Sequence, residues 1–397
     1  MHSTPYGTSV RGFREAGSTR LAGGLDLPLL VAALGLAASS VYTIHSVTRN
    51  DIPGDPNYFV VRQAAYVAVG LVLMLAISRF DYSRLREWKA GLYVLMIGVI
   101  VAVYALGSVS RGSKRAIELP FFEVQTSELG KVLLILTLAA FAVDRMRRLG
   151  EKETTARIML LAIFPAMLVV AQPDLGSGLV YLSIALAILF VAGTKWTHFA
   201  ALGVLATTAI VVVVVAAPAM GVQLLKPYQM DRLTAFVNPQ ANPAKQGYQQ
   251  TQSLVAVGAG GKTGRGDQST QTRLDFLPEH QTDFVFSVVG EQLGFMGAAL
   301  VLSLYALLIW RCLRILTVSK NLYGSLIAAG ITAMFMHQVF INVGMTIGIM
   351  PITGVTLPLM SYGGSSVIVT FMALGLLQSI HAQARETAFA KGRELAL

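Results

Sequence analysis

The 397-residue chain carries a net charge of +10, yet only 13% of its residues are charged and 54% are apolar. Soluble domains run near a quarter charged, so this deficit, with a mean hydropathy of +0.61, excludes an ordinary water-soluble enzyme. A single cysteine, Cys312, excludes an internal disulfide or a multi-thiolate metal centre, and the six histidines show no HExxH or similar ligand spacing.

In chain order, residues 1–24 are polar and basic and read as a flexible cytoplasmic tail, without the pattern of a cleavable signal peptide. Spanning a bilayer as a helix takes about 20 mostly apolar residues. Ten such stretches follow, at 27–47, 58–78, 88–107, 127–143, 158–171, 177–193, 197–217, 283–310, 323–345 and 355–381. The fifth and sixth are short and flank Gln172-Pro173-Asp174, so they are either two spans or two halves of one interrupted element. The pattern predicts an all-α polytopic membrane protein. Its single transmembrane domain covers 25–381, with a large loop at 218–282 between helices seven and eight and a cytoplasmic tail at 382–397.

Charge sets the expected orientation. Leaving aside the long loop, which exceeds the length over which loop charge counts, one set of alternate loops and the two tails hold 19 Lys and Arg against 5 in the other set. The positive-inside rule then places both termini in the cytoplasm and the long loop outside. Such a distribution also accounts for the net charge without nucleic acid. Within that loop, Ala256-x-x-x-x-Gly261-Lys262-Thr263 is close to a phosphate-cradling P-loop. It lacks the strand-then-helix context that aims backbone amides at phosphates, and no nucleotide pool lies outside, so we read no nucleotide site there.

Polar groups at membrane depth are costly and therefore informative. Arg111, Lys114 and Arg115 place three positive charges in a short external loop: either they attract anionic headgroups or they bind a phosphate-bearing ligand. Glu128 and Lys131 share a helix face at i,i+3 and could simply neutralise each other. Asp174, after Pro173, suits the N-cap of the following helix. Glu279, His280 and Asp283 crowd the point where the long loop re-enters the membrane, where Asp283 is either a cap or a general base. Finally GIMPITGVTLPLMSYGGSS, with Pro351, Gly354, Pro358, Gly363 and Gly364, should break regular helix, which a membrane tolerates only where protein or a cavity satisfies the backbone.

These stretches resemble one family. SKR…QTSELGK, QPDLG, PEHQTDF and Asn342-x5-GIMPITGVTLPLMSYGGSS, in this order along the chain, are similar to the marks of the SEDS family (shape, elongation, division and sporulation) typified by RodA, FtsW and SpoVE. GYQQTQSLVAVGAGGKTGRG with TQTRLDFLPE is closer to the RodA pattern than to FtsW. The resemblance covers the chain from Leu27 to His381. It implies a ten-helix bacterial plasma-membrane protein that polymerises lipid II at the outer face. A β-1,4 bond would form with undecaprenyl diphosphate as leaving group, beside a class B penicillin-binding protein. Asp283 of the TDF motif is then the general base. Substrate contacts are expected from Lys114, Arg115, Glu128, Lys131, Arg62, Glu279, His280, Gln172, Asp174, Ser361 and Gly363. A divalent cation, Mg2+ or Mn2+, could share the diphosphate without a dedicated cage. Two departures stand out: Thr126 replaces the family's usual proline, which could loosen the fourth helix, and Gln281 replaces its usual histidine, with His280 one position earlier. A lipid II flippase, a scaffold for a transpeptidase and the FtsW-type division enzyme are the competing readings.

Overall fold

The computed structural model describes residues 24–49, 52, 54–110, 113–118, 123–222, 227–238, 246–272 and 276–390. The expected N-terminal tail thus lies almost wholly outside the described residues, as do Arg111 and the last seven residues. Among the described residues the order is α1 (Leu27–Val47), α2 (Tyr58–Ser78), α3 (Lys89–Leu106), strands β1 (Ser108–Ser110), β2 (Ser113–Glu118) and β3 (Glu123–Gln125), then α4 (Thr126–Asp144), α5 (Lys152–Ala171), α6 (Leu175–Val191) and α7 (Trp196–Ala219). Two short helices, α8 (Pro227–Val237) and α9 (Gln246–Ala259), form the loop, before α10 (Val285–Val318), α11 (Leu322–Thr346) and α12 (Gly364–Ala390). Eight of these helices are long and apolar enough to cross a membrane, and α3 and α6 are shorter apolar helices. Ten apolar helices therefore match the ten expected.

Several boundaries differ from expectation, the fifth helix beginning at Lys152 rather than 158. The tenth helix starts at Gly364 and runs to Ala390, so the apolar run from Val355 is not helical and the presumed tail is largely helix. The eighth continues to Val318. The fifth and sixth are separate helices packed side by side: a Cβ on Gly178 of α6 would lie 2.6 Å from Val170 of α5. Lipid offers no hydrophobic drive for helix association, so such small residues matter by letting backbones approach.

Helix starts are set by capping. Asp26 accepts the Leu29 amide at 3.0 Å with Pro28 in the first turn of α1, and Asn321 accepts the Gly324 amide at 2.8 Å at α11. α4 is central, with nearly every side chain from Thr126 to Ala142 buried. By contrast α7 lies at the edge, with only His198 and Ala217 buried. The three strands form one antiparallel sheet ordered β1-β2-β3 on the connection between α3 and α4.

The glycine-rich stretch has a structural task. α10 breaks at Gly294 (φ 64°, ψ −160°), which removes the usual acceptors for the next amides. Phe295 N–H instead donates to the Gly261 carbonyl at 2.9 Å and Met296 N–H to the Lys262 carbonyl at 3.1 Å, while Arg265 N–H returns to the Glu291 carbonyl at 2.8 Å. The loop backbone thereby stands in for the missing helical turn. Approach is so close that a Cβ on Gly264 would lie 2.0 Å from the Gln292 carbonyl oxygen, and one on Gly294 2.3 Å from the Gly264 nitrogen. Glu291, fully buried, grips the next part of the loop: its carboxylate accepts the amides of Thr270, Gln271 and Thr272 at 2.8, 3.0 and 3.0 Å.

Gly294→Ala combines this clash with a backbone region open essentially to glycine, itself worth about 1–3 kcal/mol. Thermal unfolding in detergent should show a loss of at least that size, while Gly98→Ala in α3, where an added Cβ meets nothing within 4 Å, should be near neutral.

Candidate active site

Asp283 lies in a turn built by Glu279. That residue adopts a left-handed backbone (φ 58°), uncommon for a side chain of its size, and its carbonyl accepts the amides of Thr282, Asp283 and Phe284 at 3.2, 3.1 and 3.3 Å. Its carboxylate takes the Thr282 hydroxyl at 2.9 Å. His280 is buried, with Nδ1 3.1 Å from the Leu277 carbonyl. The N-cap of α10 is Phe284, without a side-chain cap bond. The Asp283 carboxylate instead borders Gly354 (φ 74°), where a Cβ would sit 3.4 Å from Asp283 Oδ2 and 3.9 Å from Arg232 Nη2.

The non-helical segment 350–363 is fastened to this turn. Asn342 Nδ2 donates to the carbonyls of Asp283 and Val355, both at 2.8 Å. Arg232 Nη1 on α8 donates to the Thr353 carbonyl at 3.0 Å. Tyr362 N–H reaches the Gln281 carbonyl at 2.9 Å. Ser361, expected as a substrate contact, is buried, and its hydroxyl is committed to the Thr282 carbonyl at 2.6 Å and the Leu357 amide at 2.8 Å. A Cβ on Gly363, by contrast, would have only Ser366 Cβ within 4 Å, at 3.9 Å.

A second wing comes from α4 and α6. Asp174 caps α6 through the Ser177 amide at 3.0 Å and also accepts from Ser127 Oγ at 3.1 Å and Gln125 Nε2 at 3.3 Å. Gln172 is buried and donates to the Ile100 carbonyl at 2.7 Å. Both residues were expected at the substrate; the polar contacts described here are with the protein. Ser365 Oγ joins this wing to the segment by accepting the Gln125 amide at 2.9 Å and donating to the Glu123 carbonyl at 2.5 Å. These bonds hold the start of α4 without the proline. Glu128 and Lys131 form an ion pair at 2.7 Å, and both are buried. Arg62 stacks 4.1 Å above the Tyr58 ring, in an aromatic group that reaches Tyr362 through Phe59 at 5.1 Å. Lys114 and Arg115 lie on β2 at this end, but their side chains are outside the described residues. Among the described residues no three His, Cys, Asp or Glu side chains gather as a metal site.

Comparisons agree with the motifs. Residues 25–386 match the FtsW/RodA/SpoVE family, described as "Cell cycle protein". The chain belongs to the SEDS family. It is 36% identical to Stage V sporulation protein E of Bacillus subtilis, covering 90% of this chain and 96% of that one. To the peptidoglycan glycosyltransferase MrdB of Escherichia coli K12 it is 35% identical, over 90% and 93%. Among solved structures it superimposes with TM-score 0.77 and 29% identity on a chain of a peptidoglycan synthase complex coordinating polymerization and crosslinking, covering 91% and 98%. With the Rod shape determining protein RodA of Thermus thermophilus the TM-score is 0.64 at 26% identity, over 90% and 96%.

Three residues of this SEDS protein escaped the reading by motif chemistry: Arg232, Asn342 as a side chain, and Glu291. The first carried a usable signal, an arginine in the long loop between the seventh and eighth helices. The other two act on backbone groups far away in sequence, which no local pattern reveals. Removing Asn342 strands the buried Val355 carbonyl, worth about 1–3 kcal/mol, and the partly buried Asp283 carbonyl. Asn342→Leu should therefore lower both thermal stability and lipid II polymerisation, whereas Asn342→Gln, which keeps the donor, should lower them less.

Proposed function

We propose that this SEDS protein is a peptidoglycan glycosyltransferase that polymerises lipid II, with Asp283 as general base. The observation that carries the reading is Asp283 itself: its backbone is held by Glu279 and Asn342 while its carboxylate borders the space above Gly354, with Arg232 on the other side. The name of the E. coli relative supports the activity, and the RodA-like motifs support a role in elongation and cell shape. Charge distribution in the loops favours cytoplasmic termini and a site at the outer face of the bacterial plasma membrane.

In this reaction Asp283 takes the proton from the GlcNAc 4-hydroxyl of the acceptor. The hydroxyl oxygen forms a bond to the anomeric carbon of the donor MurNAc, inverting it. The bond from that carbon to the diphosphate oxygen breaks, and its electron pair leaves with undecaprenyl diphosphate. Such a step needs a positioned base and positive charge on the departing oxygens. Lys131 is neutralised by Glu128 and buried, which leaves Lys114 and Arg115 as the stronger sequence-level candidates for the diphosphate. Any divalent cation, Mg2+ or Mn2+, would be held by the substrate's own phosphates. A class B penicillin-binding protein fits as partner, with the exposed Phe295, Met296 and Trp310 of α10 and Phe340 of α11 offering a lipid-facing surface for its membrane helix.

A positioned base contributes about 10²–10⁴-fold. Purified Asp283→Asn should therefore make almost no glycan from lipid II in detergent, read on a gel, while unfolding at the wild-type temperature. Wild-type rates in this variant would remove the base assignment. A flippase would give no polymer even as wild type, because detergent abolishes sidedness.

A further inference from the structure

We infer that the cleft between Val143 and Arg148, where α4 ends, binds the phosphate headgroup of an anionic membrane phospholipid. The cleft is open, about 580 Å3 in volume, and lined by the last residues of α4 and the turn Met146–Arg148. α4 starts beside the active-site wing at Gln125 and Ser365 and runs for 19 residues, roughly 28 Å at the rise of a helix. The cleft thus lies at the other end of α4 from that wing and belongs to a different surface.

Its charge is one-sided. Asp144 is the one acidic side chain in the lining, and it is already met by Arg86 at 2.7 Å and by Lys89. Arg147 and Arg148 are exposed, with no carboxylate partner among the described residues. Arg145 lies over the Phe141 ring, its Cζ 3.9 Å from the centre, which anchors its stem on the bundle. Residues 84–89 and 144–152 together hold seven Lys and Arg against three Asp and Glu. The half negative charge of a helix C-terminus cannot cancel that surplus of four. A third connection adds to it: a Cβ on Gly150 would lie 3.3 Å from Lys195 Cε and 3.7 Å from its Nζ, so the ammonium before α7 stands beside the same turn. Cations from three connections repel one another here, and a bound anion relieves that repulsion.

Placement selects a lipid over a soluble anion. α3 begins at Lys89, α4 ends at Asp144 and α7 begins at Trp196, so the cleft sits where three apolar helices reach the headgroup layer. Trp88, Met146 and Trp196 of the same connections are exposed, and tryptophan is the residue that anchors at such interfaces. Basic clusters next to spanning helices recognise acidic headgroups, and the planar guanidinium matches phosphate oxygens two at a time.

The test uses the full chain, purified in neutral detergent and stripped of lipid. It is titrated with phosphatidylglycerol, zwitterionic phosphatidylethanolamine or inorganic phosphate, and binding is read as thermal stabilisation. Phosphatidylglycerol should stabilise the wild type, and the other two should not. Each cation near an anionic lipid is worth roughly fivefold in affinity, so the double variant Arg147→Gln, Arg148→Gln should bind phosphatidylglycerol roughly 25-fold more weakly. Arg147→Lys with Arg148→Lys, which keeps the charge without the fork, should fall between. Arg79→Gln with Arg385→Gln, an equal loss of charge on α2 and α12 outside the cleft, should bind as wild type does. The inference is overturned if phosphatidylglycerol fails to stabilise the wild type, or if the cleft variant binds it undiminished. Equal losses in the two glutamine pairs would also overturn it, since net charge alone would then be sensed. Stabilisation by inorganic phosphate as strong as by the lipid would assign the cleft to a soluble anion instead.

Discussion

A polypeptide at membrane depth must satisfy every backbone N–H and C=O from within the protein, because lipid offers no partners. Segment 350–363 is where this SEDS chain meets that demand without a helix. Its carbonyls are served by side chains from five other helices: Val355 by Asn342 of α11, Thr353 by Arg232 of α8, Pro358 by Tyr305 of α10 at 2.5 Å, Met360 by Ser40 of α1 at 2.8 Å and Ser361 by Gln63 of α2 at 3.4 Å. The segment is therefore defined only when these helices are assembled. Since Tyr362 and Ser361 in turn bind the carbonyls of Gln281 and Thr282, the position of Asp283 is a consequence of the same assembly.

α10 links the two ends of the bundle. Past its break at Gly294, its cytoplasm-facing half in the proposed topology ends in a second buried polar group. Arg311 meets Asp26 through Nε at 3.0 Å and Nη2 at 2.5 Å, and Gln378 of α12 brackets Asp26 through its backbone amide at 2.7 Å and carbonyl at 3.0 Å. A buried ion pair adds little net stability compared with well-packed apolar residues, but losing one partner is expensive. Its physical effect here is registry, since α1, α10 and α12 can satisfy it in one arrangement only. The break at Gly294 is closed by loop backbone, so the helix that starts beside the Asp283 turn and carries Arg311 toward its other end has its missing backbone bonds supplied across the break, although its dihedral angles are interrupted.

Spans are legible because crossing a bilayer is a demand on length and composition. The first two helices run over the expected residues for that reason. The errors share one cause: composition reports apolarity, not conformation. Val355 to Leu359 is apolar enough to pass for helix but is buried as an unwound strap. The eighth span was expected to end at Trp310, yet its helix runs on through Arg311, whose charge is met by Asp26, far away in sequence. At the site, motif resemblance named Ser361, Asp174 and Gln172 beside Asp283, but it could not show which of them are tied to other groups of the protein. Each of these three makes hydrogen bonds to protein groups far away in sequence or at a helix start, and only the assembled structure shows those partners.

That separation has a chemical meaning. Electrostatic catalysis depends on groups that are already in place when charge develops, so that no reorganisation is needed at the moment of reaction. Here neutral side chains do most of the fastening: Asn342, Ser361, Ser365, Gln63 and Tyr305 each bind main-chain atoms of the segment or its neighbours. Charged groups stand where the fastened backbone has been drawn together around a glycine. The carbonyl and amide of Asp283 are held by Asn342 and Glu279, which fixes its backbone where the carboxylate borders Gly354. The left-handed turn at Glu279 is the local strain that makes this possible, because only that reversal brings three successive amides onto one carbonyl just before α10 begins.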